Sequence, residues 1–272
     1  MLERRQVFLR PRKELGQSFL TNRSVAVMEA EHAHGKRVLE LGPGYGILTR
    51  ELCRYADRVV AVELDKDLFR MLRHELEFSN LKLINGDFFE VGEDELELKT
   101  TDIMIANIPY SLSSRVIEFL VEHRLQAVLC LQKEFVEHML AEPGSRKYSK
   151  LSVMSQLYFS ITKMIDVERG NFNPVPKVDS AVLYLKPRDR EIGERERELV
   201  NLLMQHKKKT VKNAVEDSWR QLKVDKKELS RIAGSLKEGK LRVFQMGPEE
   251  LLALARELEV SLGKRVPEAA PV

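Results

Sequence analysis

Cysteine is scarce in this chain: two in 272 residues, Cys53 and Cys130, with no Cys-x-x-Cys spacing and no histidine cluster beside either. That argues against a disulfide framework and a zinc site, and implies two buried thiols in a reducing cytoplasm with no metal centre. Long apolar runs are missing as well. None approaches the roughly 18–20 residues of a membrane span, so no membrane association is expected. The basic start, MLERRQVFLRPRKELGQSFL, has neither an uninterrupted apolar stretch nor a small-residue cleavage site, and no signal peptide is read there. There is no internal repeat and no low-complexity tract. What is present is 43% hydrophobic and 32% charged residues, enough for a full core under a soluble surface. The length admits one large domain, or a large one with a small one.

A net charge of +3 says little, but its distribution says more. Residues 1–23 hold Arg4, Arg5, Arg10, Arg12, Lys13 and Arg23 against Glu3 and Glu14, and residues 206–212 read HKKKTVK with no acid. Each cluster is either a solvated surface or a phosphate contact. On the second reading Arg12, Lys13, Lys207, Lys208 and Lys209 touch nucleic acid.

From Lys36 onward, short apolar runs alternate with amphipathic stretches. RVLEL (37–41), RVVAVEL (58–64), LKLING (81–86), TDIMIAN (101–107) and QAVLCLQ (126–132) read as strands, with helices after most of them. Continuous apolar strands alternating with helices predict a doubly wound α/β domain with a mostly parallel sheet, whose ligands sit at the carboxyl ends of the strands. Two later strands, near 162–167 and 179–185, lie too close together for a helical crossover and predict a hairpin-like antiparallel edge, seven strands in all. Past Pro187 the pattern is entirely helical. The expected division is therefore an α/β domain over 1–188 and a small all-α domain over 189–272.

ELGPGYGILT (40–49) follows the first of these strands and opens its helix. Glycines at 42, 44 and 46 let backbone approach a ligand, but the third comes one residue early for a dinucleotide fingerprint. Glu63 ends the next strand, where an acid can accept from both hydroxyls of a ribose. Asp87 ends the third, placed to accept from an adenine amino group with Phe88 packed on the ring. Singly these are a turn, a surface acid and a helix cap. At three successive strand ends they describe a nucleoside without a long phosphate tail, which S-adenosylmethionine fits better than NAD.

The fourth strand ends in Asn107-Ile108-Pro109-Tyr110. This is either ordinary turn chemistry or a site for a planar amine. In the second case the Asn107 oxygen and the Ile108 carbonyl, held by Pro109, accept its N–H groups, and Tyr110 stacks on its ring. A base in a helix would have to be unstacked to reach them. Phe172, in GNFNPVPKVDS, either anchors its Pro-rich loop in the core or supplies the second face of an aromatic clamp with Tyr110.

These motifs, in this order, resemble the KsgA/Dim family, the small-subunit rRNA adenine dimethyltransferases. KELGQSFL (13–20), ELGPGYGILT, VELD (62–65), GDFF, NIPYSLSS, the block at 132–159, FNPVPKVDSAVLYLKP (172–187) and QHKKKTVKNA (205–214) all take part, so the resemblance covers almost the whole chain. It implies a Rossmann-like class I methyltransferase domain carrying a basic N-terminal arm, and a helical RNA- or ribosome-binding domain. The implied reaction dimethylates two adjacent adenosines in a hairpin loop near the 3′ end of small-subunit rRNA, leaving S-adenosylhomocysteine. The implied substrate is a small ribosomal subunit precursor, met in the cytoplasm by a monomer. Carried onto this chain, cofactor contacts fall at Gln17, Ser18, Leu20, Gly42, Gly44, Gly46, Glu63, Asp87, Phe88 and Asn107, and catalytic roles at Asn107, Pro109, Tyr110 and Phe172. The family commonly has Asn where this chain has Ser18. A sister family acting on large-subunit rRNA shares the Asn-x-Pro-Tyr turn, and non-catalytic nucleic-acid-binding factors share the fold.

Overall fold

A computed structural model describes residues 17–263; the basic arm with Arg12 and Lys13 lies outside them. The chain divides into two compact units. The first, up to Val136 and again over Ser160–Pro187, is the α/β unit. Its strands are β1 (Phe19–Leu20), β2 (Arg37–Leu41), β3 (Arg58–Glu63), β4 (Leu81–Asn85), β5 (Ile103–Asn107), β6 (Gln126–Gln132), β7 (Phe159–Val167), β8 (Phe172–Asn173) and β9 (Ser180–Pro187). Seven of them form one sheet in the order β4-β3-β2-β5-β6-β9-β7, and β1 pairs with β8 in a two-stranded sheet of its own.

The sheet is parallel from β4 through β6. Val38, Leu39, Val59, Ala61, Ile103, Met104 and Ile105 are almost completely buried, as a sheet covered on both faces requires. Helices α1 (Arg23–Ala30), α2 (Ile47–Tyr55), α3 (Lys66–Glu75) and α4 (Ser113–Glu122) alternate with the strands. The chain runs outward from β2 through β3 to β4, then returns to β5 on the other side of β2. The sheet's switch point thus lies between β2 and β5, and the crevice outside it is where open α/β sheets bind ligands.

The two late strands are neighbours at one edge of the sheet, as expected: β9 runs antiparallel to β6, its apolar run Ala181–Leu183 fully buried, and β7 is outermost. One sequence expectation is corrected here. The second unit is larger than 189–272, since it recruits Glu137–Phe159. Tyr148, Val153 and Leu157 from that segment share one core cluster with Leu199, Leu203, Val211 and Leu251.

This helical unit comprises α6 (Lys150–Tyr158), α7 (Glu194–Gln205), α8 (Val211–Asp217), α9 (Trp219–Leu222), α10 (Lys226–Ser235) and α11 (Pro248–Gly263), together with the end of α5 (Lys133–Met139). Between α7 and α8 the HKKKT stretch is a turn, and Thr210 caps α8 by accepting from the Asn213 N–H.

Candidate active site

The β2–α2 turn turns three times through positive φ: 70° at Gly42, 59° at Gly44 and 74° at Gly46. At Gly44 the need for glycine is steric as well. A Cβ there would meet Phe19 Cδ1 at 2.6 Å, and the Phe19 ring packs on Tyr45 with centroids 4.4 Å apart. The turn is tied to the next strand by Glu63. Its Oε2 accepts from the Gly44 N–H at 3.0 Å and its Oε1 from the Asp65 N–H at 2.8 Å. Burial pushes the Glu63 carboxyl up, and these backbone donors oppose it. Asp65 in turn caps α3, accepting from Asp67 and Leu68.

A cavity of about 220 Å³ opens over these strand ends. Gln17, Ser18, Gly42, Gly44, Glu63, Asp87, Phe88, Asn107 and Pro109, all expected from sequence, line it together with Phe19, Leu64 and Leu112. Asp87 uses one oxygen to accept from the Phe89 N–H at 2.9 Å. Phe88 is buried edge-on against Phe89 and Phe119. Ser18 spends its hydroxyl elsewhere, donating to the Pro174 carbonyl at 2.6 Å. That bond, with the pairing of Phe19 to Asn173 and Leu20 to Phe172, ties β1 to the Pro-rich loop.

Not every expected residue reaches this cavity. Gly46 is the cap of α2, packed near Leu72 and Arg50. Leu20 is buried in the core and lines only a smaller cleft behind the glycine turn. Tyr110 and Phe172 line a separate cleft beside the cavity, with Asn107, Pro109, Cys130 and Ser180. There Tyr110 Oη and Ser180 Oγ share a hydrogen bond of 2.9 Å. Phe172 is 5% exposed and belongs to the core cluster, so its loop-anchoring role is present whatever else it does.

Asn107 lines both the cavity and the cleft. Its Nδ2 donates to Glu29 Oε2 at 3.2 Å, while its Oδ1 is buried with no partner among the described residues. Sequence reasoning missed Glu29. The available signal was its place in RSVAVMEA, where it shares the buried face of α1 with Val25, Ala26 and Ala30. Glu40, on β2, is buried likewise.

Burial pushes the Glu29 and Glu40 carboxyls up to about 8, and for Glu40 the charges of Glu63 and Glu29 add to it. The ordinary value is 4.5, so between there and about 8 the folded chain holds more protons than the unfolded one. The stabilisation is complete below the ordinary value, falls as pH rises through this window, and levels off above it. Each group contributes at most about 1.4 kcal/mol per pH unit. Thermal melts should therefore give a lower Tm at pH 8 than at pH 5, and the difference should shrink in a Glu29→Gln, Glu40→Gln double variant. Equal Tm values in the unsubstituted chain would show that both carboxyls fold ionised.

The lysine run lies in the helical unit. Lys207 Nζ donates to the Tyr148 carbonyl at 2.6 Å, and Lys209 pairs with Asp217 at 2.5 Å. Lys208 is exposed. Among the described residues no three potential metal ligands cluster, and no helix is long and apolar enough to cross a membrane.

A family model described as "Ribosomal RNA adenine dimethylase" matches residues 9–247. A probable ribosomal RNA small subunit methyltransferase A from Thermococcus gammatolerans is 41% identical over 249 residues, covering 90% of this chain and 88% of the relative. Its counterpart from Methanopyrus kandleri is 37% identical, covering 94% and 95%. Among solved structures, a dimethyladenosine transferase from Plasmodium falciparum superposes with a TM-score of 0.77 at 27% identity, over 89% of this chain and 98% of that one. The 23S rRNA methyltransferase ErmE gives 0.64 at 26% identity, over 89% and 99%. Similarity that runs through the residues lining the cavity and on into the helical unit makes this chain a member of the ribosomal RNA adenine dimethylase family.

Proposed function

We propose that this chain transfers methyl groups from S-adenosylmethionine to the N6 atoms of two adjacent adenosines in the 3′-terminal hairpin loop of small-subunit rRNA, releasing S-adenosylhomocysteine. One observation carries the reading: Asn107 lines both the 220 Å³ cavity and the Tyr110 cleft, and its buried Oδ1 has no partner among the described residues.

The cavity residues suit the cofactor. Glu63 is fixed by two backbone donors, and its oxygens have lone pairs left for ribose hydroxyls. Asp87 keeps one oxygen for an adenine amino group, and Phe88 and Leu64 offer apolar walls. When bound, S-adenosylmethionine supplies a methyl group on an already activated sulfonium, so no strong base is needed before transfer.

The chain's part is to position and polarise the target. Asn107 Oδ1 accepts one N–H of the adenine amine and turns its lone pair out of conjugation with the ring. Pro109 fixes the turn that carries the Ile108 carbonyl, the second acceptor. Tyr110 offers a stacking face, anchored through Ser180. The amine forms its new N–C bond as the S–C bond breaks, and its surplus proton leaves to water. The cleft, about 20 Å³ as it stands, is too small for a purine. Base entry therefore requires the Pro109–Leu112 turn or the loop after Phe172 to give way.

The substrate is an assembling small subunit met in the cytoplasm by a monomer. The helical unit provides phosphate contacts, with Lys208 foremost since Lys207 and Lys209 already have partners. The relatives' names support the small subunit. The likeness to ErmE keeps large-subunit rRNA as the second reading. Incubating the chain with labelled S-adenosylmethionine and purified unmethylated subunits separates them. Label is expected in the small subunit, mapped to two neighbouring adenosines; label confined to the large subunit would overturn the assignment.

A further inference from the structure

An Asn side chain carries an acceptor oxygen and a donor nitrogen on a nearly symmetric fork. If the Asn107 fork turned over, it would aim N–H donors at an amine that needs an acceptor. Something must hold it one way round. The side chain that meets the fork is Glu29, which α1 delivers from its apolar face into the interior, with no exposed surface. Glu29 Oε2 accepts from Asn107 Nδ2, and Glu29 Oε1 has no partner among the described residues.

A carboxyl group buried with a single hydrogen bond is a poor way to secure a helix against a sheet. Its neighbours Val25, Ala26 and Ala30 secure α1 by apolar burial alone. The expense makes sense if Glu29 does something that an apolar residue cannot.

We propose that Glu29 is a positioning residue: it accepts from Asn107 Nδ2 and thereby presents Asn107 Oδ1 to the N6 amine of the target adenosine. The inference rests on the reading of Asn107 as the amine's acceptor. It requires an acceptor at position 29 rather than a charge, since an amide oxygen can take the same N–H. It also places the cost of Glu29 in folding and its benefit in the rate.

The test uses the full chain, unmethylated small subunits and three variants, with three readouts: kcat, Kd for S-adenosylmethionine and Tm. Glu29→Met should lower kcat by about 30-fold, the scale of losing one well-placed polar contact at a reacting centre. It should leave the cofactor Kd within about threefold, because the ribose and adenine contacts are untouched. Its Tm shows that the variant is folded; removing a half-satisfied buried carboxyl and leaving the Asn107 Nδ2 donor without its partner act in opposite directions on it. Glu29→Gln should return kcat to within about threefold of the unsubstituted chain, since its oxygen can still accept. Glu29→Ala serves in place of Glu29→Met if the longer side chain does not fold.

Asn107→Ala is measured alongside. If it is slow while Glu29→Met keeps full kcat, the positioning role is overturned and the acceptor reading stands. If Glu29→Gln is as slow as Glu29→Met, an acceptor at position 29 is not what matters, and the proposal again fails. Full activity in Asn107→Ala would remove the acceptor reading and this inference with it.

Discussion

Replacing Asn107 with Ala is expected to reduce kcat for methyl transfer by about 10²–10³-fold, the range found when a single preorganised polar group is removed from a reacting centre. The exocyclic nitrogen of adenine is a weak nucleophile because its lone pair is shared with the ring. Its N–H groups must be held by acceptors before that pair can point at the sulfonium. Asn107 Oδ1 is suited to this task because it is buried and has no competing partner among the described residues. Truncation removes that acceptor and also strips Glu29 of its single hydrogen-bond donor.

The cofactor should suffer less. Gly42, Gly44, Glu63 and Asp87 remain in place, so the Kd for S-adenosylmethionine should rise by under about tenfold. Single-turnover transfer into unmethylated small subunits, with calorimetric titration of the cofactor, separates the two effects. A variant that transfers at the unsubstituted rate would return NIPY to the status of a turn.

Strands β2 to β5 and their ligand end were legible because each is a short, mainly apolar run that ends at its own glycine, acid or Asn. RVLEL ends before Gly42, RVVAVE at Glu63, LKLIN before Asp87, and IMIAN at Asn107. Burial on both faces writes that pattern directly into the sequence. The two-stranded sheet of β1 and β8 was not legible. Two residues per strand carry no periodicity, and the pairing joins positions more than 150 apart. The membership of Glu137–Phe159 in the helical unit was hidden for a similar reason, since Tyr148 finds its partners only in the folded core, its hydroxyl donating to the Met246 carbonyl. At the site, chemistry was easier to read than orientation. Ser18 was recognised, yet its hydroxyl turns to Pro174. Phe172 was recognised, yet much of its ring is core. Glu29 escaped because one acid on an apolar helix face looks like an exception until Asn107 is seen against it.

The second large effect is expected at Glu63. Glu63→Gln should raise the Kd for S-adenosylmethionine by about 100-fold, equivalent to about 2.8 kcal/mol at about 1.4 kcal/mol per decade. The substitution keeps the shape, so packing is not the cause. Both carboxylate oxygens already accept backbone N–H groups, Oε2 from Gly44 and Oε1 from Asp65. An amide has one oxygen. Whichever way it turns, its NH₂ faces one of those N–H groups, and a buried donor left without an acceptor costs about 1–3 kcal/mol. If the Gly44 side loses, the glycine turn is left tied to β3 by the Gly42 N–H to Val62 carbonyl bond, and the backbone that must approach the cofactor is held less firmly. If the Asp65 side loses, the start of α3 shifts and carries Leu64 away from the cavity wall. Either way a ribose hydroxyl that would have met a charged acceptor meets a weaker one, and hydrogen bonds to charged groups are the stronger kind. The effect should fall on cofactor affinity, with kcat at saturating cofactor reduced by less than about fivefold because Asn107, Pro109 and Tyr110 are untouched. A variant that binds S-adenosylmethionine as tightly as the unsubstituted chain would show that the ribose is held elsewhere in the cavity and that Glu63 serves only to brace the glycine turn.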